Sequence, residues 1–101
     1  MGDCTSTGEI NGHLACVAAC EACIEECLNE ATPAHVACIR ACRDCIDACL
    51  LAARYEARKS PLADEARALC KKACEACAKA CEAAGCGDCA KTCRTCASGC
   101  A

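Results

Sequence analysis

The sequence predicts an all-α fold, an antiparallel up-down-up-down four-helix bundle with a cysteine-lined core. Three observations carry this. The spacing C-x3-C-x2-C-x3-C occurs four times: at Cys16, Cys20, Cys23 and Cys27; at Cys38, Cys42, Cys45 and Cys49; at Cys70, Cys74, Cys77 and Cys81; and at Cys89, Cys93, Cys96 and Cys100. At roughly 100° per residue, those steps fall within a stripe about 60° wide on one helix face, whereas a strand would scatter them over both faces. Between the copies stand Thr32-Pro33, Ser60-Pro61 and Gly85, boundary signals that leave room only for short links. Short links favour antiparallel neighbours.

Residues 1–11 read as a flexible lead rich in Gly, Ser and Thr, and residues 12–101 as a single bundle. Helix 1 is expected from about residue 11 to 30, with an acidic outward face of Glu21, Glu25, Glu26 and Glu30. Thr32 then caps helix 2, and Pro33 takes its first position. Helix 2 is expected over about 33–59. Ser60-Pro61 repeats the signal for helix 3, over about 61–84, with Asp64 and Glu65 favourable to the dipole of its first turn. Gly85 suits the position after its end, and Asp88 is expected to cap helix 4, over about 88–99. No cysteine stands between Cys49 and Cys70, so helices 2 and 3 are expected to project together beyond the sulfur-lined part. Leu50, Leu51, Tyr55, Leu62 and Leu69 would give that extension a small conventional core.

In heptad terms the repeat cysteines take positions d, a, d and a, the seam of a bundle. Three residues before each first repeat cysteine stand His13, His35, Arg67 and Cys86. An antiparallel bundle would gather His35, Cys86 and Cys27 at one rim. His13, Arg67, Cys49 and Cys100 would meet at the other, joined by Cys4 on the lead. At e positions, Val17, Ile24, Ile39 and Ile46 would seal helix 1 to helix 2 or meet another copy of the chain. Leu14, Leu28, Val36 and Leu50 lie nearby on b.

Composition narrows the chemistry. The 101 residues suffice for one small domain, yet they include no Phe, no Trp, one Tyr and one Met, so large core side chains are missing. A small scaffold short of core is stapled by disulfides or by metal. The net charge of −3, with both signs interspersed, argues against a nucleic-acid or membrane-surface binder. Residues 1–6 show no charged region leading into an apolar one, so no secretory signal is expected. Gly2 matches the loose myristoylation pattern only as a short sequence does by chance. A reducing compartment is therefore expected, where thiols are ligands sooner than disulfides.

Sixteen seam positions given to cysteine are not explained as small hydrophobic packing, since Ala or Val would serve without the risk of oxidation. Four helices with four cysteines each would stack about four layers along roughly 16 Å of axis. Side chains at i and i+4 have Cβ atoms about 5–6 Å apart, and two sulfurs on one thiophilic ion sit about 4–5 Å apart, so every cysteine has a partner for an ion. An all-thiolate core selects soft ions: Cu(I), Zn(II) or iron–sulfur clusters. Zinc asks for four converging thiolates per ion, and clusters ordinarily use loops. A continuous tube suits Cu(I), which accepts two or three bridging sulfurs. Capacity then approaches about one ion per cysteine, and the load is close to neutral.

The fourfold repeat with His at the rims resembles the bacterial copper storage proteins, and the missing export signal resembles their cytosolic branch. The resemblance covers residues 12–101. It implies a four-helix bundle storing many Cu(I) ions along its core and, for the cytosolic members, a homotetramer. One departure is that no Met other than the initiator is present for a mouth, so His13, His35, Cys4 or Cys86 would serve there.

The candidate metal ligands are thus all 18 cysteines together with His13 and His35. His35 is the favoured relay, because Cys86 is expected beside it. The C-x2-C of Cys86 and Cys89 at a helix start would hold reactive thiols for arriving copper. The supplier would be a copper chaperone or a low-molecular-weight thiol. No Ser-His-Asp set, phosphate loop or general-acid carboxylate facing the seam is found, so no enzyme is expected. A metallothionein-like zinc or cadmium buffer is the alternative, with an iron–sulfur protein behind it.

Overall fold

The computed structural model describes residues 7–100 of the chain. They form four helices: α1 (Thr7–Leu28), α2 (Pro33–Ala57), α3 (Ala63–Ala83) and α4 (Gly87–Gly99). Each packs against its two neighbours, α4 closing back on α1, and the whole measures 47 × 19 × 18 Å. No strand occurs among the described residues.

Facing sulfurs fix the helix directions. Between α1 and α2, Cys16 meets Cys45 and Cys23 meets Cys38, both at 3.5 Å. Between α2 and α3, Cys38 meets Cys81 at 3.5 Å and Cys49 meets Cys70 at 3.6 Å. In each pair of helices the number rises on one as it falls on the other, so neighbours are antiparallel.

The links are short because the helix ends are locally specified. Thr32 Oγ1 accepts the His35 N–H at 3.2 Å, and Pro33 stands at the first position of α2. After α3, Gly85 has φ 84°, and the Gly85 and Cys86 N–H groups donate to the Glu82 and Cys81 carbonyls. That pair of bonds satisfies carbonyls the helix leaves open and requires a left-handed residue between them. The same arrangement ends α2, where Lys59 takes the left-handed conformation at φ 52° and Ser60 donates back to Tyr55. Ala31, at φ 58°, turns the chain after α1.

Several local expectations change. α1 begins at Thr7, ahead of residue 11, so part of the expected lead is helical. Asp88 does not cap α4: Cys86 holds the cap position and Asp88 lies in the first turn, where its charge faces the dipole. Ser60 does not cap α3 either; Leu62 holds that place, while Ser60 Oγ accepts the Leu62 N–H at 3.0 Å. The extension of α2 and α3 is not filled by the expected leucines, for Leu50, Leu62 and Leu69 are exposed. Ala52, Ala53 and Ala66 are buried there instead. Ala52 continues the inward register of Cys45 and Cys49, and alanine lets neighbouring backbones approach closely. Leu51 and Tyr55 do pack partly against the core.

Candidate metal centre

All 16 repeat cysteines are buried, twelve of the side chains completely, and all of them lie in one cluster. The reason is the register: each copy places its four sulfurs on the helix face that the other three helices cover. No disulfide links the 17 described cysteines.

The sulfurs form a continuous row. Along α2 and α3, Cys42 lies 3.6 Å from Cys77 and Cys45 lies 3.5 Å from Cys74, between the two outer pairs already given. α1 reaches across the axis to α3 through Cys16–Cys74 at 3.9 Å, Cys20–Cys77 at 3.8 Å and Cys23–Cys81 at 3.9 Å. It meets α4 through Cys16–Cys93 at 3.7 Å and Cys20–Cys89 at 3.9 Å. Taking a metal–sulfur bond of about 2.3 Å, two sulfurs on one ion lie about 3.8 Å apart in tetrahedral, about 4.0 Å in trigonal and about 4.6 Å in linear geometry. The row is therefore spaced for shared soft ions without rearrangement of the backbone.

Sets of four ligand atoms lying within 4.8 Å of one another recur along the axis. Cys16, Cys49, Cys74 and Cys96 form one; Cys16, Cys20, Cys45 and Cys93 the next; Cys20, Cys77, Cys89 and Cys93 another. Consecutive sets share cysteines, as bridging thiolates require. Neighbouring thiols in such a row cannot all ionise. Burial pushes Cys27 up to about 12, and the Cys38 and Cys86 thiols beside it push the same way. Cys16 and Cys77 are instead held down by hydrogen bonds from surrounding thiols, Cys20 first among them. An ion that replaces the thiol proton one for one leaves the core neutral.

The ends of the row differ. At one, Cys23, Cys27, Cys38 and Cys86 form a four-sulfur set, with Cys27 and Cys86 at 3.7 Å. Cys86 is half-buried, whereas the other described cysteines are buried. His35 lines the same surface cavity as Cys86, together with Glu26 and Glu30. Its Nδ1, however, lies 2.6 Å from Thr32 Oγ1, so that nitrogen serves the start of α2.

At the other end His13, only 2% exposed, joins Cys49, Cys70 and Cys96 in a mixed set. Its Nδ1 lies 3.5 Å from both Cys70 Sγ and Cys96 Sγ. Its Nε2 lies 2.6 Å from Glu56 Oε2. Burial disfavours the charged imidazolium, but hydrogen bonds to Cys96 and Glu56 and their charges outweigh it, and the His13 pKa is raised. Arg67, expected at this rim, approaches Glu56 Oε1 at 4.0 Å and Asp64 Oδ1 at 2.5 Å. Cys100 is buried at this end too. Cys4 lies outside the described residues.

Glu56 corrects the expectation that no carboxylate faces the seam, for it is buried at 6% exposure. The signal was present. Continuing the heptad past Cys45 and Cys49 gives Ala52 and then Glu56 at the inward positions. A buried carboxylate needs a partner, and His13, 43 residues away in sequence, supplies it.

The chain matches the family model described as "Csp: Copper storage protein" over residues 5–101. Among solved structures it is similar to apo-Csp3, copper storage protein 3, from Bacillus subtilis. The two share 40% sequence identity and a TM-score of 0.82, covering 94% of each chain. A search of curated proteins finds no match.

Proposed function

The chain belongs to the copper storage protein family, and from that premise we propose that it holds many copper ions as Cu(I) along the cysteine row. The observation that carries this is the unbroken succession of buried sulfurs at 3.5–4.0 Å, in sets that share members. Sharing matters energetically. A thiolate that bridges two Cu(I) ions serves both, so capacity rises toward about one ion per cysteine, on the order of 18 per chain. Each Cu(I) replaces one thiol proton, which keeps a water-excluded core from accumulating charge.

The role is storage and detoxification in the cytosol, without turnover chemistry. The ligands are the repeat cysteines with Cys86 and His13, joined by Cys4 and by His35. Cys86 is the first thiol that arriving copper meets, because it is the most accessible of the described set. The donor is a copper chaperone or a low-molecular-weight thiol. The bundle works as a homo-oligomer, a tetramer on the family resemblance. In support, Leu14, Leu28, Val36 and Leu50 are all exposed on the outer faces of α1 and α2. No described helix is long and apolar enough to cross a membrane.

One observation favours a second reading. Four sulfurs within 4.8 Å of one another also suit tetrahedral zinc. Metal competition separates the two. Protein preloaded with zinc and then exposed to Cu(I) under anaerobic conditions releases all its zinc if the row is a copper store. Zinc retained against excess Cu(I) returns the assignment to a zinc or cadmium buffer.

A further inference from the structure

Glu56 has no place among the thiol ligands, yet it is buried against one end of them. His13 lies between it and the sulfurs, with Nε2 on the Glu56 carboxylate at 2.6 Å and Nδ1 at 3.5 Å from Cys70 and Cys96. The two ring nitrogens thus face different chemistry. We propose that Glu56 is a positioning residue: it holds the His13 proton on Nε2 and so presents the Nδ1 lone pair to a Cu(I) ion shared with Cys70 and Cys96. This rests on the copper reading above.

The physical argument runs from the ring outward. A neutral imidazole has one N–H and one lone pair, and whichever nitrogen donates leaves the other to bind metal. A carboxylate can only accept, so Glu56 selects the tautomer protonated at Nε2. It also fixes the ring plane and makes Nδ1 a better donor, the usual consequence of a carboxylate behind a metal-binding histidine. Glu56 is itself held from outside by Arg67 at 4.0 Å, which Asp64 anchors at 2.5 Å in turn. The result is a chain of contacts from the surface to the first sulfurs of the row. Its effect on the load is specific: a neutral imidazole completes the last set without adding a thiolate, so this ion is held by fewer charges than those inside.

The test is 15N-resolved NMR of the His13 ring, at mildly alkaline pH, in the wild-type protein, Glu56→Gln and Glu56→Ala, before and after anaerobic loading with Cu(I). In the wild type the proton is expected on Nε2, and loading should shift Nδ1 strongly while leaving Nε2 protonated. Glu56→Gln should keep that pattern, because the amide oxygen still accepts from Nε2–H. Glu56→Ala should show a mixture of tautomers in the apo protein and release its most labile copper to a chelator severalfold faster than Glu56→Gln. A merely structural Glu56 would alter stability in both variants and leave the tautomer unchanged. A proton on Nδ1 in the apo wild type, or an Nδ1 signal that does not move on loading, overturns the proposal. Neither outcome bears on how much copper the cysteines take up, so failure here is distinguishable from failure of the storage reading.

Discussion

Cys42 Sγ on α2 lies 3.6 Å from Cys77 Sγ on α3, at mid-bundle, with both side chains completely buried. The contact is within the span of two ligands on one tetrahedral or trigonal ion. It is also an ordinary packing contact between neutral thiols. The same geometry therefore lets the empty bundle fold and lets the filled one hold metal.

The first prediction follows from that double role. Cys42→Ala should lower Cu(I) capacity by about one or two ions and leave the helix content nearly unchanged. Native mass spectrometry of the loaded protein and far-ultraviolet circular dichroism of the apo protein read the two effects separately. A collapse of helicity would mean that this sulfur is needed to build the bundle and is more than a ligand in it.

The second concerns thiol access. Cys86 is partly exposed and the 16 repeat cysteines are buried. In the apo protein a maleimide should modify Cys86 faster than any repeat cysteine by an order of magnitude or more, as seen by peptide mapping. Equal rates along the row would show that the bundle opens on the labelling timescale.

The third tests the turns. Gly85 has φ 84°, and an added Cβ there meets nothing within 4 Å, so Gly85→Ala should cost about 1 kcal/mol through the backbone alone. Ala31 has φ 58°, so Ala31→Gly should gain a comparable amount, about 1 kcal/mol. Chemical denaturation of the apo protein measures both, and equal signs for the two changes would contradict the assignment.

The fourth is linkage. Copper held by the preformed row stabilises the folded chain to the extent that it is preferred over the thiols of the unfolded chain, so each well-saturated site adds up to about 4 kcal/mol at a thousandfold excess over its Kd. The loaded protein should melt far above the apo protein, and chelation of the copper should return the melting temperature without loss of helix. An apo chain without helix would show that metal, and not thiol packing, forms the bundle.

Much of this was legible from the sequence, because the cysteine period is the helix period. Once Cys38, Cys42, Cys45 and Cys49 fall on one face, their partners on the next helix follow from a short antiparallel link. The details that were not legible share a physical cause. Glu56 occupies an inward position that charge alone assigns to the surface, and its reason lies on α1, in His13. Leu50 and Leu69 have the composition of a core but not its register; Ala52 and Ala66 have the register and are buried. His35 stands at the right rim beside Cys86, but a capping interaction with Thr32 engages one of its nitrogens.

The most direct measurement is the number of tightly held Cu(I) ions per chain. Fully reduced protein is titrated anaerobically against a competing chromophoric chelator, and the endpoint is counted by native mass spectrometry. Shared thiolates along one continuous row predict saturation well above ten, approaching about one ion per cysteine. Saturation at about four or five ions, each held by four thiolates, would contradict it.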